Sequence, residues 1–412
     1  MSAHILYGLV LAILVFDFLL EKIVDFINFK HVKINLPDEV KDIYDKEKYQ
    51  KQQKYEKANY KFKLLSGIFS FILILSMLLF DGFAFLDNFV SLISTNIIVQ
   101  ALLFFGILFF ASDILNIPFD IYDTFVIEQK FGFNTMSIKT FVLDKIKGWL
   151  LGIILGGGLL TLIVWLISSF PNTFWIYAWL VVAFISIFMA MFYSSLIVPL
   201  FNKQTPLEDG ELKQSITEFS EKAGFKLQNI FVIDGSKRST KANAYFSGLG
   251  AKKRIVLFDT LIQEMTVKEI VAVLAHEIGH YKKKHVKAMI ALSILQTGLM
   301  FFILGFLVNN AILSQALGAT KHSIHMSLIA FAMLYSPLSF IFGIFINIFS
   351  RKNEYEADSF AAEKYESIEL QNALKKLSIK NLSNLTPHPL YVFFNYSHPP
   401  LLDRLKNLKK FE

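Results

Sequence analysis

Residues 276–280 read His-Glu-Ile-Gly-His, an H-E-x-x-H pattern. On a helix, side chains four apart lie one above the other, so His276 and His280 can hold one metal ion between them. Glu277 then stands one position round the helix, where a carboxylate can take a proton from water at that metal. The chain contains no Cys, which excludes thiolate zinc sites, iron–sulfur clusters, disulfides and thiol nucleophiles and leaves His, Asp and Glu to ligate. Catalytic zinc takes three protein ligands and keeps one position open. A third His six residues beyond His280 is ruled out, because Val286 occupies that position.

A carboxylate from elsewhere in the chain is the natural third ligand. Residues 350–360 read Ser-Arg-Lys-Asn-Glu-Tyr-Glu-Ala-Asp-Ser-Phe, a predicted helix on which Glu354 and Asp358 share a face. One of them can ligate while the other orients an imidazole. Spacing alone does not choose between Glu354, Glu356, Asp358 and Glu363, and a solvated acidic helix is the alternative for each. Near the C-terminus, His398 precedes Pro399-Pro400, which holds it extended and outside any helix; by itself it reads as a loop histidine. His4, His31, His285, His322, His325 and His388 read as ordinary, with His285 in a Lys cluster off the ligand face.

The elements that must position these groups are partly legible. Thr266-Val267-Lys268-Glu269 is a capping box that opens the H-E-x-x-H helix. Residues 229–234 and 254–259 read as short strands, with 243–246 between them before a Gly-rich turn. This sheet is either purely structural, or its edge pairs with an extended peptide and lays a scissile bond beside the metal.

The rest of the chain is built for a bilayer. Of 412 residues 54% are hydrophobic and 18% charged, with 43 Phe, which excludes a disordered chain or a nucleic-acid-binding domain. Stretches long enough to cross about 30 Å of hydrocarbon occur at 3–20, 64–80 and 88–112, twice within 148–202, once within 288–320 and at 326–350. The first lacks a basic leader and a small-residue cleavage site, so it reads as an anchor; Asp17 within it reads as a polar residue facing the bundle. Seven crossings place every one of the 41 Lys and Arg except Lys321 in 21–63, 113–147, 200–287 and 351–412. By the positive-inside rule these segments are cytoplasmic and the N-terminus lies outside.

The expected organisation is five crossings in 1–200 with cytoplasmic loops 21–63 and 113–147, a cytoplasmic metalloprotease segment 201–287, two crossings in 288–350, and a cytoplasmic segment 351–412 with the third ligand. The fold class is mainly α: a polytopic membrane protein with a small cytoplasmic α+β metalloprotease part. Lys far outnumbers Arg, and with the Phe and Ile this suggests AT-rich coding. The expected site is therefore a bacterial inner membrane, or the endoplasmic reticulum membrane of a eukaryote.

Five ordered motifs together resemble the type I CAAX prenyl protease family of integral-membrane zinc metalloproteases. Besides His276-Glu277-x-x-His280 they are Pro118-Phe119-Asp120 through Glu128 with Phe131-Gly132-Phe133-Asn134, Asn243-Ala244-Tyr245-Phe246 with 253–261, Glu354-Tyr355-x-Ala357-Asp358, and Ser397-His398-Pro399-Pro400 with Arg404. The resemblance implies a seven-helix barrel around an intramembrane chamber and one Zn2+ per chain held by His276, His280 and Glu354. It also implies that Asp358 orients a ligand, that Glu277 is the general base, and that His398, helped by Arg404, donates to the oxyanion. Asn243, Ala244 and Tyr245 become a substrate-contacting strand. The implied partners are the bilayer and a peptide or protein, C-terminally prenylated, that loses its last three residues; no nucleic acid is expected. Other readings are a membrane quality-control protease acting on non-prenylated or misfolded peptides and, outside enzymes, a metal transporter.

Overall fold

The computed structural model describes residues 2–32, 36–41, 44–225, 229–248 and 253–412. Among them seven helices are long and apolar enough to cross a membrane. In chain order the first helices are α1 (Ala3–Lys30), α2 (Lys46–Leu79), the short α3 (Gly82–Ile93), α4 (Ile97–Phe131), α5 (Ile138–Ser169) and α6 (Phe174–Phe201). A mixed α+β segment follows: β1 (Gln204–Pro206), α7 (Glu211–Lys222), β2 (Ile230–Ile233), β3 (Ala244–Ser247), β4 (Arg254–Phe258), α8 (Asp259–Glu264) and α9 (Val267–Lys282). The chain then re-enters the apolar layer with α10 (His285–Leu307), α11 (Ala311–Ala316) and α12 (Ile324–Lys364), and ends with α13 (Ser367–Lys380), α14 (Pro389–Asn395) and α15 (Leu401–Leu408).

The crossing helices form a closed ring: α1 packs on α2, α2 on α4, then α5, α6, α10 and α12 follow in turn, and α12 returns to α1. One end of this ring is closed by a buried apolar cluster in which α3 and α11 contribute Phe83, Leu86, Val90, Leu313 and Ala316. Charged side chains are scarce along the crossing helices, where an unpaired charge is costly. Asp17 is an exception of the expected kind, accepting a 2.7 Å hydrogen bond from Ser336 Oγ across the α1–α12 contact.

Two boundaries differ from the sequence reading. The uncharged run from 88 to 112 is not one crossing, because the chain breaks at Ser94-Thr95-Asn96 and Asn96 Oδ1 caps α4 by accepting from the Ile98 and Val99 amides. A charge-free criterion cannot see that break, since the residues that make it are polar and neutral. The last crossing does not end near Ser350 either; α12 continues unbroken to Lys364, so Glu354 and Asp358 ride on the same rod that crosses the membrane.

The sheet has the order β1-β2-β4-β3, with β2 and β4 parallel and the outer pairs antiparallel. Ile255, Val256 and Leu257 of β4 are fully buried, while among the described residues β3 pairs on one side alone, in the register Ala244↔Leu257 and Tyr245↔Val256. The Gly-rich turn expected after β3 runs into 249–252, outside the described residues. Ion pairs fasten this half to the membrane helices: Lys241 donates to Glu128 at 2.7 Å and to Tyr55 at 3.0 Å, and Arg238 grips Asp144 through Nε and Nη2 at 2.7 and 2.8 Å.

Candidate metal centre

Helix α9 starts where the capping box predicts. Thr266 Oγ1 accepts from the Glu269 amide, and Glu269 Oε2 accepts from the Thr266 amide at 2.8 Å. The run from Ile270 to Ala275 is buried all round, under α7, α12 and α13. A helix apolar on every face is one that other elements enclose, and it delivers His276 (7% exposed) into a site with little water.

Helix α12 crosses α9 at Gly279. A Cβ built there would stand 3.1 Å from both Cα and O of Ala357, so the two backbones touch only because position 279 has no side chain. Glu354 and Asp358 flank that contact, one turn apart on α12. Glu354 Oε2 lies 3.4 Å from His276 Nε2, and Glu354 Oε1 lies 3.2 Å from His280 Nε2. The two imidazole Nε2 atoms are 3.1 Å apart. Each residue thus offers one donor atom, all within 4.8 Å of one another.

The other side of His276 is held by Asp358, which is fully buried. His276 Nδ1 donates to Asp358 Oδ1 at 2.8 Å, fixing the tautomer that leaves the Nε2 lone pair facing Glu354. Arg404, from α15, forks onto the same carboxylate through Nε at 2.8 Å and Nη2 at 2.6 Å, the bidentate geometry that a guanidinium matches. Its Nη1 stands 3.6 Å from Glu354 Oε2. Burial alone would push the His276 pKa down; its contact with Asp358 and the Glu354 carboxylate beside its Nε2 overturn this and raise it to about 9.

Donor chemistry fits a dication. Glu354 Oε2 is buried with no hydrogen-bond partner, and two imidazole nitrogens face the same point. Nitrogen and oxygen donors of this kind suit zinc. In a metal-free site the two carboxylates thus favour a protonated His276, and a metal ion would compete with that proton.

Of the residues singled out in the sequence, His276, His280, Glu354, Asp358, Arg404 and His398 come together here. His398 Nε2 is 3.4 Å from Glu354 Oε1, its side chain is 64% exposed, and its Nδ1 meets Ser397 Oγ at 2.9 Å. Glu277 is half-buried on α9. Glu363 is exposed and Glu356 points to another neighbour. Asn243 is exposed, and β3 contacts α9. Ala244 packs on the core below while the Tyr245 hydroxyl meets Ser194 of α6 at 3.1 Å.

His285 corrects the sequence reading. It is 5% exposed and its Nδ1 lies 3.1 Å from His280 Nδ1. The Lys cluster hid it: Lys284 takes the left-handed conformation (φ +62°), turning α10 back over the last turn of α9, and no residue type there signals that turn.

Comparison with known proteins covers the whole architecture. Residues 26–203 match the family described as CAAX prenyl protease N-terminal, five membrane helices, and residues 206–412 match peptidase family M48. A CAAX prenyl protease 1 homolog from Dictyostelium discoideum is 36% identical over 408 residues, 95% of each chain. CAAX prenyl protease 1 of Saccharomyces cerevisiae is 36% identical over 399 residues, 90% of this chain and 88% of its own. The crystal structure of S. mikatae Ste24p has a TM-score of 0.93 and 35% identity over 98% of this chain and 99% of that one.

Proposed function

The chain belongs to the CAAX prenyl proteases of peptidase family M48 and is a multi-pass membrane metalloendopeptidase; from that premise we propose that it removes the last three residues of C-terminally prenylated CAAX substrates with one Zn2+ per chain. His276, His280 and Glu354 would hold the ion. The observation that carries the ligand set is the convergence of their three donor atoms within 4.8 Å, with the His276 ring locked from behind by Asp358.

When bound, zinc supplies a Lewis acid for the scissile carbonyl and makes water nucleophilic near neutral pH. Glu277 takes the proton of the attacking water and later hands it to the leaving amine. His398, exposed beside Glu354, donates to the developing oxyanion. Arg404 has committed Nε and Nη2 to Asp358, so its help comes through Nη1 and through holding Asp358. Substrate pairs with the free edge of β3, where Asn243, Ala244 and Tyr245 lie beside α9.

The prenyl group is supported by an apolar groove of about 1170 Å³ between α10 and α12, lined by Trp175, Trp179, Leu292, Leu295, Phe345 and Phe349 among others. It reaches Ala288 and Phe349, three residues beyond His285 and five before Glu354, which at the helical rise is about 5 and 8 Å along each axis. A lipid on the residue whose carbonyl is cleaved must leave the site within about that distance. The distribution of Lys and Arg supports a cytoplasmic active site and C-terminus with the N-terminus outside, in the endoplasmic reticulum membrane or a bacterial inner membrane.

The test is mass spectrometry of a farnesylated CAAX peptide and its unprenylated twin after incubation with purified enzyme, with Glu277→Gln and a chelator as controls. Loss of three residues from the farnesylated peptide alone is expected. Equal cleavage of both overturns the prenyl assignment and makes the enzyme a general membrane endopeptidase.

A further inference from the structure

His276 is not the only candidate ligand with a partner behind it. His280 Nδ1 faces His285 Nδ1 at 3.1 Å, and His285 Nε2 faces Glu356 Oε2 at 3.2 Å. We infer that His285 and Glu356 form a positioning pair that fixes the tautomer and ring angle of His280, the counterpart of what Arg404 and Asp358 do for His276. The inference rests on the reading that His280 ligates through Nε2.

Proton bookkeeping leaves one consistent arrangement. A neutral imidazole that ligates through Nε2 carries its proton on Nδ1, which must then be a donor. His285 Nδ1 is the atom in reach, so it accepts and His285 carries its own proton on Nε2. That Nε2–H points at Glu356, a carboxylate that only accepts. No other tautomer of His285 satisfies both neighbours.

The placement is specific. His285 opens α10, Lys284 before it sits at φ +62°, a conformation that Lys rarely adopts, and the result is a histidine 5% exposed directly after three lysines. Glu356 lies on α12 two residues beyond Glu354 and two before Asp358. It turns towards α10, with Lys352 Nζ 3.9 Å from its other oxygen. One segment of α12 thereby supplies a candidate ligand and one support for each histidine.

The experiment is a zinc competition titration of the full-length purified protein against a chromophoric chelator, run on wild type, His285→Leu, His285→Asn, Glu356→Gln and His280→Ala, with melting of each metal-free form measured alongside. His285→Leu removes the acceptor at similar bulk, and its zinc affinity is expected to fall about 10- to 100-fold. His285→Asn offers Oδ1 where Nδ1 stood and is expected to recover most of that loss. Glu356→Gln, which keeps an acceptor, should change affinity less than His285→Leu. Wild-type affinity in His285→Leu overturns the inference, and so does an equal loss in His285→Asn and His285→Leu, which would make the role packing alone. Undiminished zinc affinity in His280→Ala would instead overturn the ligand set itself, so the two failures are distinguishable.

Discussion

Gly279→Ala tests the idea that a backbone-to-backbone contact sets the ligand geometry. The added Cβ would stand 3.1 Å from Ala357 Cα and O and 3.2 Å from Phe360 Cδ1, where carbon pairs normally settle at about 3.5–4.0 Å. Two of these atoms are backbone, so α9 and α12 must part by about half an ångström. Overpacking of this kind costs about 1–3 kcal/mol, and replacing Gly by Ala in a helix returns about 1 kcal/mol, leaving a net loss of about 0–2 kcal/mol. Glu354, one turn from Ala357, moves with α12 away from His276 and His280. Metal sites tolerate about 0.2 Å in ligand distance, and a misplacement of about 1 Å can cost about 100-fold in rate. The expected outcome is a folded protein, within a few degrees of the wild-type melting temperature, whose zinc affinity and kcat/KM on a farnesylated peptide fall about 10- to 100-fold. Gly343, on α12 with nothing within 4 Å of its Cβ position, is the control, and Gly343→Ala should retain both. Full zinc affinity and turnover in Gly279→Ala would refute the reasoning.

Glu277→Gln should keep zinc content at the wild-type level by elemental analysis while turnover drops at least about 100-fold, as expected for loss of a general base. Arg404→Lys replaces a fork by a point charge and leaves Asp358 under-compensated in a buried site, which costs about 3–5 kcal/mol when a partner is lost outright; a lower melting temperature and weaker zinc binding are expected, read by calorimetry and chelator competition. The His276 pKa, raised to about 9, gives metal-free protein a stabilising contribution that is full below the ordinary histidine value and is lost as pH rises through about 9. Zinc competes with that proton, so its apparent affinity should rise with pH over the same window. The gap between the melting temperatures of zinc-loaded and metal-free enzyme should therefore widen from pH 6.5 to pH 8.5.

The H-E-x-x-H pair was legible because helical periodicity alone puts i and i+4 on one face, and the capping box marked where that helix begins. The tie between Glu354, Glu356, Asp358 and Glu363 was not breakable from spacing, because it depends on which face of α12 meets α9. With Gly279 against Ala357, Glu354 and Asp358 turn inward, Glu356 turns to His285, and Glu363 faces solvent. All seven crossings could be counted from apolar length, whereas the start of the third, set by the break at 94–96, depended on a cap made of neutral polar residues. His285 depended on a left-handed Lys284, a conformation set by tertiary packing that a run of lysines does not encode.

Arg404 explains why a site that holds a proton so firmly can still accept a metal. Asp358 without a counter-charge would keep His276 as imidazolium, since a buried carboxylate beside an imidazole favours the charged pair. A guanidinium forked onto both Asp358 oxygens spends part of that negative charge, and its own positive charge opposes protonation of His276. Asp358 therefore remains a hydrogen-bond acceptor that orients Nδ1, while Glu354, whose buried Oε2 has no hydrogen-bond partner, is the carboxylate left to face the proposed dication. Substituting Asp358 by Asn should separate these roles. An amide can still accept from Nδ1 but no longer matches Arg404, so orientation survives while the buried guanidinium loses its counter-ion. Zinc affinity in Asp358→Asn is expected to fall less than in Asp358→Ala, and thermal stability is expected to fall in both. An Asp358→Asn protein that binds zinc no better than Asp358→Ala would show that charge, and not orientation, is what Asp358 contributes.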